Sequence, residues 1–175
     1  MMYLAILLFA IFFAGFAMTV NEGLWSNTIS LFCVILAGLI ALPGGLALGS
    51  FVVEQAKPAP ENEWAFVFGS IWGVFFFAVM ILRIITDRIS RVRMKFFKPL
   101  DIGGGILMGL GVAMMLTSFT ALTLFLPFAA GVWKPQEAPA WQSGTIVASA
   151  IPMFSVSALF YSDDIIRQIQ VASKQ

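Results

Sequence analysis

Long apolar runs separated by short polar segments make up most of this chain. Four runs have the length of a membrane-crossing helix, since about 20 apolar residues span a hydrocarbon core of roughly 30 Å. They cover residues 1–20, 25–53, 64–82 and 102–132, and none contains a charged residue. The pattern predicts an all-α integral membrane protein with about four transmembrane helices.

The second run is longer than one straight span requires. Pro43 lacks a backbone N–H, its ring crowds the preceding turn, and Gly44 and Gly45 follow directly. This predicts a span over 25–42, a helix break at Pro43-Gly44-Gly45, and a short segment over 46–53. That last segment is expected to be re-entrant or to lie along the membrane interface.

The segment after the third run carries most of the positive charge. Apolar residues at helical spacing, from Leu82 to Phe96, fall on one stripe, and most basic residues lie opposite. This predicts an amphipathic surface helix between the third and fourth spans, in which Asp87 pairs with Arg83 and Arg91 four residues away. The predicted membrane-surface anchor holds six of the ten Lys and Arg residues, namely Arg83, Arg88, Arg91, Arg93, Lys95 and Lys98.

Loop charge predicts the orientation. Segment 83–98 is strongly basic, whereas loop 54–63 is acidic. The positive-inside rule therefore puts segment 83–98 in the cytoplasm and loop 54–63 outside.

The last part of the chain, residues 133–175, is predicted to be a helical tail distinct from the membrane domain of residues 1–132. Its moderately apolar stretch 144–161 is interrupted by Pro152 and several serines. The stretch is either a poor fifth span or an interfacial helix packed on the outer face, and its polar content favours the second interpretation.

Composition narrows the function. The chain of 175 residues is 60% hydrophobic and 11% charged, against about 25% charged in soluble domains. A net charge of +1 gives no reason to expect nucleic acid as a partner, and the absence of histidine excludes His-ligated metals and His-based acid–base catalysis. We predict no enzymatic activity and no cofactor.

The start of the fourth run carries the candidate packing features. Asp101 is predicted to cap its own helix by accepting hydrogen bonds from the N–H groups of Gly103 and Gly104. The spacing of Gly105 and Gly109, extended by Gly103 and Gly111, lets another helix approach closely, either within the domain or from a partner.

Further along the fourth run lies a stripe of hydroxyl side chains. Such groups bond across helices, bond back to their own helix carbonyls, or line a water-filled passage. The stripe consists of Thr117, Ser118, Thr120 and Thr123.

Two segments resemble a known family. Leu100-Asp101 followed by Gly105 and Gly109, after a basic amphipathic connector, resembles the CvpA (colicin V production protein) family, and segment 21–27 is similar to the family's glycine-containing start of the second span. The chain departs from the family at Ile102 and Val112, where an arginine is often found. The resemblance implies a small multi-pass protein of the bacterial cytoplasmic (inner) membrane, linked to bacteriocin production or export and to envelope homeostasis.

Two functions follow as hypotheses. The first is a CvpA-like scaffold or accessory subunit, held in the lipid bilayer and packed against a protein partner or a second copy. The alternative is a channel or uncoupled carrier for a small neutral solute, suggested by the broken second run and the hydroxyl stripe.

Overall fold

The computed structural model describes residues 2–89, 97–124 and 140–161. These residues form five α-helices and no strand, which confirms the all-α prediction for them. The helices are α1 (Met2–Thr19), α2 (Leu24–Ala56), α3 (Glu63–Ile89), α4 (Lys98–Leu124) and α5 (Ala140–Phe160), and a 3₁₀ turn, Pro60–Asn62, precedes α3.

Three of the described helices are long and apolar enough to cross a membrane. They are Leu24–Ala56, Glu63–Arg88 and Lys98–Leu124. Helices α1 and α5 contribute the shorter apolar stretches Leu4–Thr19 and Thr145–Phe160. The described chain thus has the composition of a membrane protein.

Helix α4 is the centre of the bundle. It packs against α1, α2 and α5, whereas α3 packs mainly along α2. Helices α2 and α4 run in the same direction, because Leu24 meets Asp101 at one end and Gly38 lies beside Phe119 further along. The main core lies between α2, α3, α4 and α5, and Phe75 and Phe119 are its largest fully buried side chains.

The α2–α3 contact depends on glycines in the second half of α2. A Cβ at Gly45 would overlap the backbone of Ile71, and one at Gly49 would lie 3.0 Å from the Cα of Val67. Small residues let two helices approach closely and gain van der Waals contact in lipid. Gly45 and Gly49 therefore set the α2–α3 seam.

The predicted break in the second run is wrong. Helix α2 continues without interruption from Leu24 to Ala56, with Pro43 inside it. The missing N–H of Pro43 leaves the carbonyl of Leu39 without its helical partner, and the hydroxyl of Tyr161 donates to that carbonyl instead. A helix tolerates proline in a membrane when neighbouring groups satisfy the freed carbonyl in this way, so no separate segment forms over 46–53.

Helix α5 also contains a proline, and a hydroxyl of α4 bonds to the backbone beside it. Near Pro152, the N–H of Met153 donates to Ser118 Oγ at 2.8 Å, and that hydroxyl donates to the carbonyl of Ala150 at 3.1 Å. Ser118 therefore bridges α4 to α5 beside Pro152. The predicted stretch 144–161 forms a helix with a buried face against α4, whereas residues 162–175 lie outside the described residues.

The described first part of the basic segment belongs to α3. Helix α3 extends to Ile89, so Arg83 and Arg88 belong to its last turns, and Lys98 is the first residue of α4. No glycine or proline interrupts residues 83–89, so α3 continues through them and the predicted surface helix does not start at residue 83. Arg91, Arg93 and Lys95 lie outside the described residues, as does the end of the fourth run, 125–132.

Candidate functional site: a polar junction at the start of α2 and α4

Among the described residues, a group of charged, amide and hydroxyl side chains gathers where α1 and α3 end and α2 and α4 begin. We call this the polar junction. Its members are Thr19, Glu22, Ser26, Asn27, Ser30, Arg83, Asp87 and Asp101.

Asp101 caps a helix, but not its own. Helix α4 begins at Lys98, so Asp101 lies in its first turn, and its Oδ1 accepts a hydrogen bond from the N–H of Leu24 at 2.9 Å. The carboxylate thereby satisfies an orphan donor of α2 and complements the positive end of that helix dipole. Gly23 has no side chain to cap α2, and a Cβ there would lie 2.9 Å from Asp101 Oδ1. The predicted cap on Gly103 and Gly104 is therefore corrected to a cap between two helices.

Asn27 is the central side chain of the junction. It is fully buried, and its Nδ2 donates to the carbonyls of Gly105 at 2.7 Å, Thr19 at 2.9 Å and Glu22 at 3.3 Å. One amide therefore joins the end of α1, the connecting turn and the first part of α4. Within the described ranges its Oδ1 is buried without a hydrogen-bond partner.

Two glycines of α4 make room for this arrangement. A Cβ at Gly105 would lie 2.8 Å from the carbonyl oxygen of Glu22, and one at Gly109 would lie 2.9 Å from Thr19 Oγ1. By contrast, a Cβ at Gly103 would meet nothing within 4 Å, and one at Gly111 would make ordinary contact with Leu31. The packing role predicted for this glycine face is thus internal, and it belongs to Gly105 and Gly109.

Arg83 joins the end of α3 to the start of α2. Its guanidinium donates to Ser30 Oγ and, at 3.2 Å, to Ser26 Oγ, and it lies 3.7 Å from a carboxylate oxygen of Glu22. Ser26 in turn donates to Glu22 at 2.7 Å. Arg83 was predicted as a membrane-surface anchor, but in the structure it ties α3 to α2.

Asp87 supplies the second carboxylate beside Arg83. Its Oδ2 lies 3.4 Å from Arg83 Nε, which confirms the ion pair predicted from the four-residue spacing. The basic side chain is thus flanked by two carboxylates, Glu22 and Asp87, and all three are partly exposed. With Asp101 as a third carboxylate against one guanidinium, the junction carries a formal charge of −2.

The hydroxyl stripe of α4 is closed. Its three threonines donate to carbonyls of their own helix, at Ala113, Leu116 and Thr120, over 2.7–2.9 Å. Ser118 bonds to α5 instead, and all four side chains are buried. The stripe therefore does not line a water-filled passage among the described residues.

The chemistry of the junction is that of a structural hydrogen-bond network that joins helices. Within the ranges that the structure describes, no group of three or more His, Cys, Asp or Glu side chains is placed to hold a metal ion. Most of its donors and acceptors are taken up by one another, across elements that are far apart in the chain.

Sequence reasoning assigned no role to Asn27 or Tyr161, and it named Ser118 only as a member of the hydroxyl stripe. A buried asparagine in an apolar run is itself a signal, because an amide in lipid needs partners. Its partners cannot be read from local spacing, since Gly105 is 78 residues away along the chain.

Comparisons of this chain with protein-family models, with curated proteins and with solved structures find no match.

Proposed function

We propose that this chain is a CvpA-like scaffold or accessory subunit of a complex in the bacterial cytoplasmic membrane. In this proposal α1, α2, α3 and α4 cross the bilayer, segment 83–98 faces the cytoplasm and loop 54–63 faces outward. The resemblance connects such a subunit with bacteriocin production or export, or with envelope homeostasis. The two resembling segments, 21–27 and 100–109, contact each other at the polar junction, which supports treating them as one structural unit.

The observation that carries the proposal is the outward surface of α3. Only 11% of its most apolar window is buried, and a Cβ at Gly69 or Gly73 would meet nothing within 4 Å. We call this surface the α3 outer face. It consists of the exposed residues Ala65, Gly69, Gly73, Phe76, Phe77 and Met80.

Small residues at four-residue spacing favour a helix partner over lipid at this face. Lipid tails are as apolar as a helix surface, so association in a membrane depends on close van der Waals contact. Gly69 and Gly73 leave a shallow groove between larger exposed side chains such as Phe77. A helix of a second copy or of another membrane protein fits such a groove.

The sequence hypothesis placed the docking surface on Gly105 and Gly109 of α4. Those positions are filled from within the chain by the connecting turn and Thr19. We therefore move the proposed docking surface from α4 to α3.

The channel or carrier hypothesis rested on a broken α2 and an open hydroxyl stripe. Helix α2 is continuous, and the stripe is buried and hydrogen-bonded. No specific observation favours transport, and we do not propose it.

The test is the size of the assembly in native membranes. The full-length chain is cross-linked in membranes, solubilised in mild detergent and sized, together with the double variant Gly69→Leu/Gly73→Leu. We expect a larger assembly for the unaltered chain and a smaller species for the double variant, with an unchanged unfolding midpoint for the variant.

Gly103→Leu is the matched control, because position 103 is also in open space but lies on α4. It should leave the assembly intact. A monomer in native membranes, or an assembly that survives the α3 double variant, would contradict the proposal.

A further inference from the structure

Pro43 creates a weak point in the middle of α2. The carbonyl of Leu39 loses its normal helical donor there, and Gly44 and Gly45 follow without side chains to stiffen the next turn. Sharp bends in helices are found at prolines and at glycine-rich positions. Helix α2 therefore contains a hinge at Pro43. It stays straight there when the Leu39 carbonyl has a hydrogen-bond donor.

The donor to that carbonyl comes from the far end of the chain. Tyr161 directly follows α5, its N–H continues that helix by donating to the Ser157 carbonyl at 3.0 Å, and its hydroxyl donates to Leu39. An unpaired carbonyl in an apolar environment is costly. The position of the α5 end thus determines whether the Leu39 carbonyl has a hydrogen-bond donor.

Helix α5 is fixed at a second point, which gives it a defined position relative to α2. Ser118 of α4 holds the backbone around Pro152, and the end of the Met153 side chain fills the space beside Gly38 of α2. Gly38 is the residue immediately before Leu39 in α2, so the Met153 contact lies beside the carbonyl that Tyr161 satisfies. Movement of α5 against α4 would therefore withdraw Tyr161 from α2.

The half of α2 beyond the hinge controls α3. Gly45 and Gly49 lie against Ile71 and Val67, with so little space that an added Cβ would meet the α3 backbone or come within 3.0 Å of it. A bend at Pro43 would displace this seam, and α3 would move with it.

We infer that Tyr161 is a conformational latch that holds α2 straight at Pro43 and so couples the position of α5 to that of α3. When the Tyr161 hydroxyl leaves the Leu39 carbonyl, α2 bends at Pro43-Gly44-Gly45 and the α2–α3 seam shifts. The inference goes beyond the proposed scaffold role and does not depend on it.

A double-mutant cycle with a distance readout tests the latch. Spin labels replace Phe32 and Phe51, which are exposed on opposite sides of the hinge, in a full-length Cys33→Ala background. Along a straight helix the two positions are roughly 28 Å apart. Tyr161→Phe is then introduced into the chain with Pro43 and into the chain with Pro43→Ala.

We expect Tyr161→Phe to broaden the inter-label distance distribution and shift it to shorter distances when Pro43 is present. The same substitution should leave the distribution unchanged in the Pro43→Ala chain, because the restored N–H at position 43 donates to Leu39. The midpoint of thermal unfolding should follow the same pattern, with a decrease of about 2–4 °C only in the Pro43 chain.

An equal change in both backgrounds would show that Tyr161 acts by general packing, and no change in either would show that α2 needs no donor from α5. Failure to fold in both backgrounds would likewise assign the side chain a packing role. Each of these results overturns the latch.

Discussion

Helices α3 and α4 have the same length, 27 residues, and both are apolar enough to cross a membrane, yet they occupy opposite positions in the bundle. In the most apolar window of α4, 56% of the residues are buried, against 11% in α3. The more hydropathic of the two helices, α3, is the peripheral one.

The difference shows that hydropathy does not choose the centre of a membrane bundle. Transfer of an apolar side chain from lipid to a protein interior gains little, so close contact and hydrogen bonds decide which helix is enclosed. Helix α4 carries glycines that admit the connecting turn and a hydroxyl that bonds to α5. Helix α3 has comparable residues, such as Gly73 and Ser70, but they face outward or bond within the helix.

The largest expected difference between the two helices comes from replacing one glycine with leucine, first in α4 and then in α3. Gly105→Leu forces a side chain against the Glu22 carbonyl, so we expect a loss of about 3 kcal/mol or more, at the upper end of overpacking, or failure to fold. Gly73→Leu in α3 should change stability by less than about 0.5 kcal/mol. Unfolding in mixed detergent micelles, followed by circular dichroism, measures both. Equal losses would mean that α3 is as enclosed as α4.

A smaller effect is expected from removing one aromatic ring from each helix. Phe119 is fully buried, its ring stacks on Phe75 at 4.3 Å and it meets the edge of Trp72 at 5.4 Å, whereas Phe77 is 60% exposed. Phe119→Ala opens a cavity of roughly 100 Å³, and the cavity term alone is about 2 kcal/mol at about 24 cal/mol per Å³, so we expect a loss of at least that size. Phe77→Ala should be nearly neutral in the same unfolding measurement. A greater loss for Phe77→Ala would place the packed core on the wrong side of α3.

The smallest effect is expected at a matched pair of serines. Ser118→Ala leaves the Met153 N–H and the Ala150 carbonyl without their partner, and we expect a loss of about 1 kcal/mol, as for hydrogen bonds between membrane helices. Among the described residues, Ser70 bonds to the Phe66 carbonyl of its own helix and to no other helix, so Ser70→Ala should be neutral. Faster amide exchange at Met153 in the Ser118→Ala variant is the specific readout. Unchanged exchange there would show that the N–H does not depend on Ser118.

Local features of the fold were predictable. Run lengths predicted where α2, α3 and α4 lie, because a chain in lipid must satisfy its backbone groups within a helix. The Arg83–Asp87 pair was also predictable, since its geometry follows from residues four positions apart.

Features that join distant segments were predicted wrongly or were missed. Asp101 was assigned to its own helix because its partner, Leu24, is 77 residues away. A break was predicted at Pro43 because the compensating Tyr161 is 122 residues from Leu39 and belongs to a stretch that looked peripheral. Local pattern contains no information about either pairing.

By itself, then, the sequence determined that the described chain is helical, which of its helices are long enough to cross a membrane, and where charge is concentrated. Only the tertiary structure decided that α4 is central, that Asp101 caps α2 and that α2 continues through Pro43. The physical reason is that helix formation and hydrophobic length belong to each segment alone. In lipid, by contrast, the choice of neighbours depends on complementary shape and hydrogen bonding between surfaces that meet only after folding.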